Sequence, residues 1–195
     1  MSSSMNSNRK LILASGSPRR RELLTRANID FEVIQSGIDE IRRPGESGSD
    51  YAPRMAREKA LAVSTHHSKR IVLAADTIVL CDADILEKPK DAPDASRMLA
   101  ALSGRTHTVI TAFAIASDGK IIANEAATSR VTFRELSAKE IADYIATGEP
   151  FDKAGAYGIQ GIGGGFISHV DGSRDNVMGL PAAEVIATLR KFGIA

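Results

Sequence analysis

LILASGSPRRREL, residues 11–23, sets an apolar run against a Gly/Ser turn and three consecutive arginines. A short apolar run ending at Gly16 predicts a buried strand over residues 10–15. Ser17 before Pro18 has the pattern of an N-cap with proline at the first helical position, so RRRELLTRA is expected to continue as helix. A strand that turns directly into a helix presents free backbone N–H groups and the positive end of the helix dipole. Ser15 and Ser17 add hydroxyls, and Arg19 and Arg20 add planar forks suited to phosphate oxygens. Consecutive helical side chains fan apart by about 100°. All three arginines cannot face inward, and Arg21 is the bystander. The stretch lacks the GK[ST] ending of a P-loop and the GxGxxG spacing of a dinucleotide fold. The plainer alternative is a helix cap followed by surface arginines paired with Glu22 or distant aspartates.

Outward from this stretch the chain alternates strands and helices. FEVIQSG predicts a second strand, and YAPRMAREKALAVSTHH a helix with a thin apolar face and Lys59 near its middle. RIVLAADTIVLCDADIL contains the most strongly β-like apolar run in the chain, its hydrophobic pattern interrupted by Asp76-Thr77. Asp91 and Asp94 fit a capping pair before the Met98-Leu99-Leu102 helix face. Asp118-Gly119 predicts a tight turn between antiparallel strands. Ser137 and Glu140 form a capping-box signature. A glycine-dense stretch over 148–181 follows, with strand-like FISHV inside it, and Pro181 starts a final helix. This order predicts an α/β fold with a mixed sheet. No repeat or long linker interrupts it, so residues 9–195 are expected to form one domain after a disordered polar tail at 1–8.

Composition narrows the function. The 195 residues carry 25 basic and 24 acidic side chains, a net charge of +1, which gives no broad electrostatic case for nucleic acid. Any anion site must be local. A lone cysteine, Cys81, excludes an internal disulfide framework and a Cys-rich zinc site. The polar MSSSMNSNRK has no signal-peptide core. The apolar runs are too interrupted to span a membrane, so the cytoplasm is the expected location.

Asp76 stands inside an apolar strand pattern, where an unpaired acid is expensive. It reads as a structural ion pair, a divalent-metal ligand or a general base. Asp39-Glu40 offers further oxygen ligands, and Lys59 and Lys88 can neutralise phosphate charge. In the glycine-dense stretch, Tyr157 and Ile159 interleave with glycines as in a folded, ligand-facing loop, and the Gln160 amide can both donate to and accept from a base edge. Asp152 and Lys153 read either as a local ion pair or as cleft residues. The four histidines have no metal-ligand spacing. These residues alone point to a phosphorylated small molecule held with a metal, and fix neither the base nor the bond cut.

At these same residues the chain resembles the Maf family. LILASGSPRRRELL, YAPRMAREKA, AADTIV, LEKP, SGRTHTVITA, GEPFDKAGAYGIQGIGG and GSRDNVMGLP match in family order over about residues 10–182. The resemblance implies a mixed sheet with flanking helices around a deep cleft, similar to the inosine triphosphate pyrophosphatase type. It implies hydrolysis of a nucleoside triphosphate to the monophosphate and pyrophosphate with Mg2+ or Mn2+, and a homodimer. Asp76 falls on the family's proton acceptor. Ser15, Arg19, Arg20, Glu40, Lys59 and Lys88 fall on positions linked with phosphate, metal or catalysis. Arg19, Thr77 and Gln160 fall on positions of substrate selection. DKAGAYGIQ resembles the branch acting on dTTP and UTP. The alternatives are a 7-methyl-GTP pyrophosphatase and a non-catalytic nucleotide-binding regulator of cell division.

Overall fold

The computed structural model describes residues 11–194; the expected tail at 1–8 lies outside them. One mixed sheet of seven strands organises the chain, in the order β2-β1-β3-β5-β6-β7, with β4 added beside β3. Strand β1 (Leu11–Leu13) pairs in parallel with β2 (Phe31–Val33) and with β3 (Ile71–Cys81). The pairings of β3 with β4 (Asp84–Leu86) and with β5 (Thr106–Ser117) are antiparallel, as are those of β5 with β6 (Lys120–Phe133) and of β6 with β7 (Ile167–Asp171).

Local chemistry sets many of the boundaries. Pro18 opens α1 (Pro18–Arg26) as its first helical residue, and its fixed φ suits that position. Ser47 caps α2 (Gly48–Ser64) by accepting from Asp50 N, and Asp91 caps α3 (Ala92–Leu102) by accepting from Asp94 N. The full capping box of Ser137 and Glu140 starts α4 (Ala138–Ala146). Asp118 and Gly119, both at positive φ, turn β5 into β6. Beyond β7 lie α5 (Arg174–Met178) and α6 (Ala182–Lys191).

The central strands β1, β3 and β5 are buried on both faces, and alternation along β3 divides the core. Val72, Ala74 and Ile78 pack against Met55, Ala56 and Ala60 of α2. Leu73 and Ala75 pack on the opposite side with Leu23, Leu24, Met178 and Val185. A third cluster joins Met98 and Leu99 of α3 to Phe133, Tyr144 and Phe166.

Asp76 and Thr77 break the apolar run of β3 but not its pairing: both residues stay in the ladder, opposite Ala112 and Thr111 of β5. The polar pair interrupts the hydrophobic pattern without interrupting the backbone, because the strand's hydrogen bonds depend on its neighbour and not on its side chains.

Candidate active site

The other edge of β3 positions the site. Pairing with β1 reaches only Leu73, and pairing with β4 begins at Val79. Between them the strand borders a cleft of about 660 Å³, which Asp76 and Thr77 help to line. Adjacent strand residues point to opposite faces. Asp76 therefore faces the α2 side, and Thr77 the side of α1.

On the α2 side, Lys59 Nζ lies 2.6 Å from Asp76 Oδ1 and 2.8 Å from Glu40 Oε1. Asp76 and Lys59 are buried, whereas the Glu40 side chain is 42% exposed. Lys88 Nζ stands 3.8 Å from Glu40 on the more open rim. Burial works to raise the Glu40 pKa. The charge and hydrogen bond of Lys59, with Lys88 and Arg20, outweigh it and hold the carboxyl below its ordinary range.

On the α1 side, Arg20 turns fully inward. Its Nε donates to Gly179 O at 2.8 Å, Nη1 to Ser15 Oγ at 3.1 Å and Nη2 to Thr77 Oγ1 at 3.1 Å. Burial lowers its pKa, opposed by the charges of Asp76 and Glu40. Ser15 Oγ also accepts from Ser17 N, while the Ser17 hydroxyl caps no helix bond, although Ser17 holds the N-cap position. Arg19 reaches across the cleft mouth to Asp152, Nη1 to Oδ2 at 3.1 Å. Arg21 is exposed, and its guanidinium donates to Gly16 O at 3.3 Å. Gly16 passes so close to Gln35 that a Cβ there would meet the amide at 3.1 Å, so the turn runs tight against the cleft wall.

The cleft thus gathers Ser15, Ser17, Arg19, Arg20, Glu40, Lys59, Asp76, Thr77 and Lys88 along its lining. Gln160 is not brought there. Its neighbours Tyr157, Gly158 and Ile159 line the cleft, but its own exposed side chain donates to Glu22 Oε1 at 3.0 Å. Asp152 and Lys153 meet both readings at once, forming a 2.6 Å ion pair and lining the cleft. Tyr51 and Glu87 are among the cleft residues that the sequence did not single out. Tyr51 donates through its hydroxyl to Glu40 O at 3.3 Å, and Glu87 lines the wall beside Lys88. The LEKP motif held the signal for Glu87; nothing local marked Tyr51.

Among the described residues no group of three or more His, Cys, Asp or Glu side chains is arranged to hold a metal ion. Asp76 and Glu40 instead form a two-carboxylate set around one ammonium. Such a set fits Mg2+ in its usual protein mode, in which one or two carboxylates share the ion with substrate phosphates and water. Also among the described residues, no helix is long and apolar enough to cross a membrane.

A mixed α/β sheet with guanidinium and ammonium groups facing carboxylates across one cleft defines a protein built to hold a polyanion. The chain belongs to the Maf family: the model for "Maf-like protein" matches residues 10–192. A dTTP/UTP pyrophosphatase of Escherichia coli O157:H7 is 51% identical over 183 residues, covering 93% of this chain and 92% of the relative. One from Chromobacterium violaceum is 50% identical, covering 94% and 95%. One from Koribacter versatilis is 48% identical, with the same coverage. In fold, the chain is similar to the Ham1 protein of Staphylococcus aureus, with a TM-score of 0.51 at 14% identity, covering 95% of this chain and all of the other. A HAM1 protein from Coxiella burnetii gives 0.50 at 15% identity, covering 94% and 98%.

Proposed function

We propose that this chain hydrolyses dTTP and UTP to the nucleoside monophosphate and pyrophosphate. The observation that carries the reading is the buried Lys59–Asp76 pair on the cleft floor, within a cleft that also holds Arg20 and Ser15. The near-50% identity to dTTP/UTP pyrophosphatases over almost the whole chain supports the substrate class.

Arg19, Arg20 and the Ser15 and Ser17 hydroxyls bind the triphosphate, and Lys59 and Lys88 neutralise its charge. Asp76 accepts a proton from a water as that water adds to the α-phosphorus. The anhydride bond breaks and pyrophosphate leaves with the electron pair. Mg2+ or Mn2+, held by Glu40 and Asp76, supplies charge neutralisation on the phosphoryl oxygens when bound. Thr77 fixes the Arg20 fork. Gln160 reads the base after leaving Glu22, which costs one exposed hydrogen bond, about 1 kcal/mol. The reading carries with it a single domain over 9–195, a homodimer and a cytoplasmic location, where these substrates are made.

Product analysis with dTTP, UTP, CTP, GTP and 7-methyl-GTP, each with and without Mg2+, tests it. Monophosphate and pyrophosphate from dTTP and UTP are expected. Diphosphate plus orthophosphate would mean cleavage at the γ-phosphoryl group and would sink the proposal. Turnover confined to 7-methyl-GTP would select the other enzyme. Tight binding without turnover would select a regulator.

A further inference from the structure

Glu40 is the only carboxylate that the irregular segment 34–47 sends to Lys59, and that segment contains no strand or helix. Its backbone must be held by something else. Arg54, on α2 and only 8% exposed, supplies the buried part of the hold, beside an exposed Arg43–Glu58 contact at 3.2 Å. Its Nη2 donates to Ile41 O at 3.0 Å and to Glu46 Oε2 at 2.6 Å, and its Nε donates to Glu46 Oε1 at 2.5 Å. Its Nη1 is anchored one helical turn on, 3.1 Å from both Glu58 oxygens. The fork thus ties both ends of residues 41–46 to α2. Tyr51, one turn earlier on the helix, fastens the Glu40 carbonyl. The same helix carries Lys59.

We infer that Arg54 is a positioning residue: its fork straps segment 40–46 to α2 and so sets the Glu40 carboxylate at Lys59. The inference rests on the pyrophosphatase reading. Arg54 stands outside the cleft lining, and Glu40 is the charged residue of the strapped segment that lines it. A planar, bidentate fork is required, because a lysine at this position can satisfy Glu46 or Ile41 but not both in fixed geometry.

The test uses Arg54→Lys and Glu46→Ala, each made in the wild-type chain and in Glu40→Gln. Glu46 lies in the segment itself, so Glu46→Ala keeps the test alive if Arg54→Lys fails to fold. Hydrogen exchange of peptides over residues 38–46 should quicken in both variants while the rest of α2 stays protected. With dTTP, kcat should fall about tenfold and KM stay within about twofold, as for a displaced catalytic group. In the Glu40→Gln background the same substitutions should cause no further loss, because the pair acts as one unit. Equal losses in both backgrounds, or unchanged exchange over 38–46, would overturn the strap. Wild-type protein that turns over no nucleotide would instead overturn the functional reading and the kinetic half of this inference together.

Discussion

Lys59 and Asp76 meet at 2.6 Å with both side chains buried, one from the middle of α2 and the other from the middle of β3. A single contact therefore joins the helix layer to the sheet at the floor of the cleft. The pair is at once part of the core and part of the site, and substitutions can separate the two roles.

Asp76→Asn keeps the shape of the side chain and removes its capacity to accept a proton. Turnover of dTTP is expected to fall by about a hundredfold or more. Steady-state kinetics beside a circular-dichroism spectrum checks this. Near-wild-type turnover would remove Asp76 from catalysis.

Lys59→Met leaves the Asp76 carboxylate buried without its partner, and is expected to cost about 3–5 kcal/mol of stability. Replacing both, with Lys59→Met and Asp76→Leu, should recover most of that loss while remaining inactive. Denaturant unfolding of the two variants distinguishes a structural debt from a catalytic one.

Arg19 and Asp152 form an ion pair at the cleft mouth, with the acid 59% exposed. Asp152→Asn should change stability by about 1 kcal/mol or less. It also loosens the guanidinium, leaving only the 3.4 Å contact of Nη2 with the backbone carbonyl of residue 152, and removes a negative charge that opposes the triphosphate. KM for dTTP is expected to drop, with a steeper dependence on salt. An unchanged KM would show that Arg19 does not contact the phosphates.

His107 is buried against Phe133 and Tyr157, with Nε2 2.7 Å from the Tyr157 hydroxyl and no partner for Nδ1 among the described residues. Burial pushes its pKa down to about 4 from 6.5. The unfolded chain therefore takes up the proton first. Stability is full above about 6.5 and falls as pH drops towards about 4, by about 3 kcal/mol in all. Glu46 and Glu140, each held down to about 2 chiefly by hydrogen bonds from Arg54 and Ser137, add their losses at lower pH. His107→Gln should flatten the upper part of the curve in denaturant unfolding, and an identical slope would refute the assignment.

Gln160→Ala should narrow the preference for dTTP and UTP over CTP while leaving the cleavage position unchanged. Glu22→Ala releases the amide and should lower KM for the preferred bases. Competition assays with paired nucleotides read both effects.

Features set by neighbouring residues were legible in the sequence. The Ser137/Glu140 box, the Asp91 cap, the Asp118-Gly119 turn and the inward Arg20 each depend on a few adjacent positions. Asp76 was legible as an anomaly, because an acid among strand residues demands a partner. Its partner was not, since Lys59 comes from a helix 17 residues earlier. The partner strand β5, which keeps the ladder continuous past Asp76 and Thr77, is likewise invisible in a hydrophobic pattern. Nothing local singles out Arg54 within YAPRMAREKA, because its partners lie in a segment whose course no local rule predicts. Gln160 faces Glu22 across 138 residues of sequence, a separation over which no spacing argument reaches.

The unbroken ladder of β3 on β5 also governs which changes in length the gene can tolerate. Ten paired positions, from Ile71 to Leu80, run past the site without a bulge. A residue gained or lost between 71 and 76 would exchange the two faces of the strand. The acid would be delivered to the helix layer of α1, and the threonine to Lys59. Folding and chemistry would fail in one step, leaving no partly working intermediate for selection to repair. Insertions in this chain should therefore collect in the exposed turns and at the rim of the cleft, where the spacing of Asp76 and Thr77 is not at stake.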